Sequence, residues 1–259
     1  MNSLSPANKL ENLRTIMKKY QQDAFIAMSA DPHMSEYLPD YWKIRQWLTG
    51  FTGSVVTIVV TQNFAGLWVD GRYWVQAEQQ LENTGYVLQK QTHDAASTHL
   101  AWLSQHLAKD AKISVNGNTI STQQYSALSA LAIEHNFVIQ TDLDLIDEIW
   151  TERPALPLQP IWQMADDLNA QTRLEKITAI RHKLIQKKAT GHFISALDDI
   201  AWILNCRGRD VEYNPVFLAH LYIDHSRTVL FIDDAKLSTE MQQRFALDNI
   251  EILAYNASI

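Results

Sequence analysis

An α/β fold of two tandem domains is what this sequence predicts, and three observations carry the prediction. Amphipathic helical stretches alternate with short β-branched runs along the chain. A proline-dense segment, Arg153 to Pro160, interrupts the alternation. The order of elements after that segment then repeats the order before it. The expected organisation is a first domain over 1–152, a stiff linker over 153–164 and a second copy over 165–259, cut short, each copy a mixed β-sheet flanked by helices.

Asn8 to Tyr20 places Leu10, Leu13, Ile16 and Met17 on one helical stripe, and charges take the other face. Ala24-Phe25-Ile26-Ala27-Met28 is a buried strand, and Asp31-Pro32-His33 a turn. Ile44, Trp47 and Leu48 mark a short helix that ends at Gly50. Ser54 to Thr61 is nearly all β-branched, which suits a pleated sheet and not a helix. Asn63 turns the chain into a second strand, Ala65 to Val69, an antiparallel neighbour of the first. A helix is expected over 72–82, a strand over 87–91, a helix over 99–108, a strand over 113–115, a helix over 122–135 and a strand over 137–139. Leu143 to Ile149 closes this half.

Three prolines at 154, 157 and 160 can continue neither a helix nor a central strand. Thr172 to Lys188 is then a long amphipathic helix. The repeat reads as Lys9-Leu10-Glu11 matched by Arg173-Leu174-Glu175, Ala24-Phe25-Ile26 by His192-Phe193-Ile194, Asp31 by Asp198, Trp47-Leu48 by Trp202-Ile203, and Leu67-Trp68-Val69-Asp70 by Leu230-Phe231-Ile232-Asp233.

Composition excludes several classes. The 259 residues are 46% hydrophobic with a net charge of −7, and no dense Lys/Arg run offers a nucleic-acid surface. No run approaches the roughly 18 apolar residues a membrane span needs, and no apolar leader follows Met1, so a cytoplasmic protein without membrane contact is expected. A lone cysteine, Cys206, rules out an internal disulfide and reads as a small buried hydrophobe.

No zincin helix, thiolate zinc site, phosphate-binding loop, dinucleotide fingerprint or nucleophile elbow is present. Ser54 reads as a turn residue, Asp31 and His33 as local turn structure, and His99 and His106 as solvent-facing. Asp224-His225 fits a hairpin turn, while Asp166-Asp167 and Asp233-Asp234 fit caps or solvated faces. Two stretches stand out. Asp70-Gly71-Arg72-Tyr73 puts an anion, a cation and a phenol at the end of a buried strand, either as an internal ion pair or as a ligand contact, since the Arg fork suits carboxylate or carbonyl oxygens. Asn205-Cys206-Arg207-Gly208-Arg209-Asp210, leading to Asn214-Pro215-Val216-Phe217, is either a capping loop or part of a site.

These stretches carry a resemblance. Asp31-Pro32-His33-Met34-Ser35-Glu36-Tyr37, Gly50-Phe51-Thr52-Gly53-Ser54 and Trp68-Val69-Asp70-Gly71-Arg72-Tyr73 with Gln76-Ala77-Glu78 resemble the N-terminal domain of Xaa-Pro aminopeptidase (aminopeptidase P), in its long three-domain cytosolic form. Trp202-Ile203-Leu204-Asn205, Arg207-Gly208, Asp210 and Asn214-Pro215-Val216 resemble its middle domain. The resemblance implies two ribonuclease-H-like (creatinase N-terminal-like) domains. It also implies a parent that removes the N-terminal residue from peptides with proline second, typically a homodimer. Two divalent metal ions, usually manganese, would lie in a third, catalytic domain, which this chain is expected to lack. The chain alone is then expected to be inactive, with no catalytic residue and no metal ligand.

The family's substrate-contacting arginine falls on Arg72, supported by Asp70 and Tyr73. Val55-Val56, Cys206 and His220 depart from the family's usual Ala-Gly, Leu and Tyr without touching that residue. Rival expectations are a non-enzymatic peptide- or histone-binding module of peptidase-like fold, and a creatinase or prolidase relative, which the second copy disfavours.

Overall fold

The computed structural model describes residues 4–92, 94 and 98–258. The chain divides into two compact units, one of residues 1–32 and 40–154, the other of residues 33–39 and 155–259. The change-over after Pro154 lies in the proline segment, and the crossing at 33–39 begins after Pro32 and ends on Pro39.

The first unit runs α1 (Pro6–Lys19), β1 (Ala24–Met28), α2 (Ile44–Thr49), β2 (Val56–Thr61), β3 (Ala65–Val69), α3 (Trp74–Gln80), β4 (Val87–Lys90), α4 (His99–His106), β5 (Lys112–Val115), α5 (Thr122–His135) and β6 (Val138–Gln140). Its described strands form one sheet in the order β4-β3-β2-β1-β5-β6. β1, β2 and β3 pair antiparallel, while β4, β5 and β6 join parallel to β3, β1 and β5. Alternation on the strands divides the core in two. Phe25, Ile58 and Leu67 face α1, α2 and α3. Ile26, Val59 and Trp68 face α4 and α5. The caps are those the residue types call for. Ser5 accepts the Asn8 amide before α1, Ser121 and Gln124 form a capping box on α5, and Gly50 ends α2 at φ 79°.

The expected helix over 72–82 is shorter: Asp70 to Tyr73 form a turn and α3 starts at Trp74. His99 also departs from the sequence expectation. It is half-buried with its ring edge-on to Trp68 at 6.4 Å, and burial lowers its imidazole from 6.5 to about 4. A base whose folded pKa is depressed stabilises the fold above its unfolded pKa and loses that contribution as pH falls toward the folded value. Lowering the pH from 8 to 5 should therefore cost the first unit about 2 kcal/mol through this residue. His99→Gln should flatten the pH dependence of its unfolding between those limits; an unchanged profile would remove His99 as the cause.

The second unit contains β7 (Trp162–Gln163), α6 (Arg173–Lys187), β8 (Gly191–Ile194), α7 (Leu197–Ile203), β9 (Cys206–Arg207), β10 (His220–Asp224), β11 (Thr228–Phe231), α8 (Thr239–Leu247) and β12 (Ile250–Leu253). Its main sheet has the order β12-β11-β10-β8, and β7 pairs with β9. β8, β10 and β11 pair antiparallel and β12 joins β11 parallel, the pattern of β1 to β4.

Side-chain contacts prove the repeat and correct its register. Lys9 donates to the Trp47 carbonyl at 2.7 Å with its ammonium over the Trp47 ring, and Lys176 does the same to Trp202 at 2.7 Å. Arg14 Nε donates to the Thr61 carbonyl at 3.1 Å, and Arg181 Nε to the Asp224 carbonyl at 3.0 Å. Lys9 thus corresponds to Lys176 and not to Arg173. The same offset matches Phe25 with His192 and Ile26 with Phe193. A slip of one residue in a strand exchanges its faces, and Phe25 and Phe193 indeed lie on opposite faces: Phe25 packs toward α1, while Phe193 stands outside the core that α6 shares with Ile194.

Candidate functional site

The stretch after β3 is a compact turn wired to its own backbone. Asp70 Oδ1 accepts the Arg72 amide at 3.0 Å, and the Tyr73 amide donates to the Asp70 carbonyl at 3.1 Å. The same carboxylate takes the Arg72 guanidinium in both oxygens, Nε to Oδ1 at 3.0 Å and Nη2 to Oδ2 at 2.8 Å. Hydrogen bonding to Arg72 holds the Asp70 carboxyl below its ordinary value, and Asp70 raises Arg72 in turn. The Arg72 side chain nevertheless remains 66% exposed, and its Nη1 bonds to no described residue. Its guanidinium carbon lies 5.2 Å from the Tyr73 ring centre. The result is a planar cation fixed on one side and open on the other, suited to a carbonyl or carboxylate oxygen of a ligand.

Tyr73 is anchored to the glycine-rich stretch before β2. Its hydroxyl is 2.7 Å from Ser54 Oγ, and that hydrogen bond lowers the phenol. Its ring meets Phe51 edge-on at 6.1 Å. Phe51 is fully buried, and Gly53 passes so near that a Cβ there would stand 2.4 Å from Phe51 Cζ and 2.9 Å from Tyr73 Cδ1; only glycine fits. Thr52 is held by Gln76 and Gln80 of α3, at 2.8 and 2.9 Å.

Beneath this loop lies Arg45, a residue the sequence reading passed over. It donates to the Ser54 carbonyl at 2.7 Å, Ser29 Oγ at 3.1 Å and the Phe51 carbonyl at 3.3 Å, and burial lowers its pKa. A cation on α2 gives no hint in sequence of which face it takes. Ser54 is therefore a turn residue whose hydroxyl steadies Tyr73, and Asp70, Arg72, Tyr73 and Ser54 are brought together. Val55 points out, 54% exposed, and Val56 opens β2.

The second odd stretch satisfies itself internally. Asn205, at φ 53°, follows α7 and donates to the Gln171 carbonyl at 2.9 Å. Cys206 is buried, and burial raises its thiol to about 11, so it packs as a small hydrophobe. Arg207 donates to the Ala201 carbonyl at 2.9 Å. Asp210 forms a buried ion pair with Lys236 and accepts the Leu218 amide at 2.7 Å. Burial pushes the Asp210 carboxyl up and the Lys236 ammonium down, each against the pull of the other.

His33 belongs to the second unit. It stacks on His220 at 4.4 Å, with its ring nitrogens 2.9 Å from the Ser195 carbonyl oxygen and 2.7 Å from the Tyr255 hydroxyl. Burial brings it down to about 4, hence neutral at pH 7. Among the described residues, no group of three or more His, Cys, Asp or Glu is placed to hold a metal ion, and no helix is long and apolar enough to cross a membrane.

Comparison with known proteins gives matches along the whole length. Residues 9–149 and 152–259 each match a family model described as the creatinase/prolidase N-terminal domain. Among curated proteins, Xaa-Pro aminopeptidase 1 of Dictyostelium discoideum is 34% identical over 94% of this chain and 40% of its own length. Aminopeptidase P1 of Lotus japonicus is 32% identical over 96% of this chain and 38% of its own. The chain thus spans about 40% of the length of such relatives. Among solved structures, the X-prolyl aminopeptidase of Caenorhabditis elegans, described as a cytosolic enzyme with a di-nuclear active site, superposes with a TM-score of 0.92 at 31% identity. That alignment covers 98% of this chain and 43% of the other.

Proposed function

Because the chain belongs to the creatinase/prolidase N-terminal domain family, we propose that it is the non-catalytic N-terminal part of a cytoplasmic, metal-dependent Xaa-Pro aminopeptidase. The parent removes the N-terminal residue from peptides whose second residue is proline, and it works as a homodimer. The observation that carries this reading is the likeness to the C. elegans enzyme along both units at once.

Among the described residues no group of three or more His, Cys, Asp or Glu is placed to hold a metal ion, so no step through a metal is assigned to them. The two divalent ions, manganese by this reading, belong to a further domain of the parent. This chain's own contribution is Arg72. Its open guanidinium edge binds a peptide oxygen, Asp70 fixes the plane of the fork, and Tyr73, tied to Ser54, floors it. Preorganising the cation in this way lowers the ordering cost of binding.

The test uses two proteins. The manganese-loaded parent should release arginine from Arg-Pro-Pro, and the 259-residue chain, treated identically, should release none. Release by the chain alone, or an inert metal-loaded parent, would overturn the proposal.

A further inference from the structure

The loop that carries Thr52 and Ser54 belongs to no sheet or helix. α2 ends at Thr49 and β2 starts at Val56, so residues 51–55 have no ladder of their own. One side chain takes its place. Arg45 Nε donates to the Phe51 carbonyl at 3.3 Å and Nη1 to the Ser54 carbonyl at 2.7 Å, so a single guanidinium spans both ends of the loop. Nη1 also donates to Ser29 Oγ at 3.1 Å, and that hydroxyl accepts the Val56 amide at 3.2 Å. The clamp is thereby tied to the sheet where β1 ends and β2 begins. Among the described residues Arg45 meets no carboxylate; its partners are two carbonyls and a hydroxyl, all neutral. A planar fork can reach three such oxygens at once, which an ammonium on a flexible stem cannot.

The two residues whose carbonyls Arg45 fixes are the same two that hold Tyr73. The Ser54 hydroxyl is 2.7 Å from the Tyr73 hydroxyl, and the Phe51 ring meets the Tyr73 ring edge-on at 6.1 Å. Gly53, between them, passes against both rings. The Tyr73 ring in turn lies 5.2 Å from the Arg72 guanidinium carbon. Asp70 orients the Arg72 fork, but it does so within their own turn. Tyr73 is what ties that turn to the neighbouring loop. A continuous path of contacts therefore runs from Arg45 through Ser54 and Phe51 to Tyr73 and Arg72.

We propose that Arg45 is a positioning residue for the Arg72 site: by fixing the Phe51 and Ser54 carbonyls it sets where Tyr73 stands, and so where the open edge of the Arg72 guanidinium points. This rests on the reading above that Arg72 binds a peptide oxygen. Arg45 itself touches no ligand. Its effect on the reaction passes through Arg72, and that dependence separates it from a residue that only stabilises the fold.

A double-mutant cycle in the parent enzyme tests it. Arg45→Met should lower kcat/KM for Xaa-Pro peptides by on the order of 10-fold, a fraction of the roughly 100-fold that a misplacement of about 1 Å can cost. The loss should fall on the same parameter, KM or kcat, as that of Arg72→Ala. In the Arg72→Ala background, Arg45→Met should cost less than about 2-fold, because the group it places is gone. Arg45→Lys should recover little, since it keeps the charge without the fork; full recovery would mean that charge alone suffices and would overturn the proposal. So would wild-type kinetics in Arg45→Met, or the same loss in both backgrounds, which is what a purely structural role produces. If Arg45→Met does not fold, Ser54→Ala takes its place in the cycle, cutting the same path at an exposed residue, and the same outcomes decide. Wild-type kinetics in Arg72→Ala would sink the reading of Arg72 and this inference with it, whereas a large Arg72→Ala loss with an independent Arg45→Met loss would sink this inference alone.

Discussion

Lys236→Met should destabilise the second unit by about 3–5 kcal/mol, the usual cost of leaving one member of a buried ion pair alone. The ammonium and the Asp210 carboxylate are 2% and 0% exposed, so water cannot replace the lost partner. The backbone amides of Leu218, at 2.7 Å, and Gln159 are too little to balance a carboxylate that burial already pushes toward its neutral form. Urea unfolding followed through the exchange of β10 amides would measure the loss. Adding Asp210→Leu to the same protein should recover most of it, because a matched apolar pair avoids the desolvation of both charges. A loss below about 1 kcal/mol, in the range of a surface pair, would mean that the two groups remain solvated.

Arg72→Ala in the parent enzyme should lower kcat/KM for Xaa-Pro peptides by on the order of 100-fold, the scale for losing a charge-assisted contact to a bound ligand. Metal content and unfolding midpoint should not change, since Arg72 is mostly exposed and its side chain bonds only to Asp70, two residues away. Arg72→Lys should recover little, because an ammonium keeps the charge but not the planar fork. Asp70→Asn should fall between the two. Steady-state kinetics alongside metal analysis would decide, and unchanged kinetics in Arg72→Ala would take the residue out of the site.

Much of the architecture was legible because local chemistry and global fold agree. The β-branched run before Thr61 is a strand, the prolines after Arg153 mark the change between units, and the two capping boxes sit where Ser121 and Thr172 invite them. Hydrophobic pattern alone set the repeat in the wrong register. Arg173-Leu174-Glu175 looks like Lys9-Leu10-Glu11 as text, but the cation that reaches a tryptophan carbonyl is Lys176. At the site, Arg72 and Asp70 are neighbours in the chain and could be paired on paper. Arg45 could not, because its partners at Ser29, Phe51 and Ser54 meet it only once α2 is packed. The Asp210–Lys236 pair was hidden for the same reason, its members being 26 residues apart.

Residues 33–39 bear on how such a protein can be recombined. They lie inside the first sequence repeat yet belong to the second compact unit. A crossover at residue 154 that exchanged one repeat with a relative would therefore bring in a foreign His33 to meet the resident Ser195, His220 and Tyr255. Inheritance by repeat and folding by unit follow different boundaries, and a viable chimera has to carry residues 33–39 with the unit that holds them.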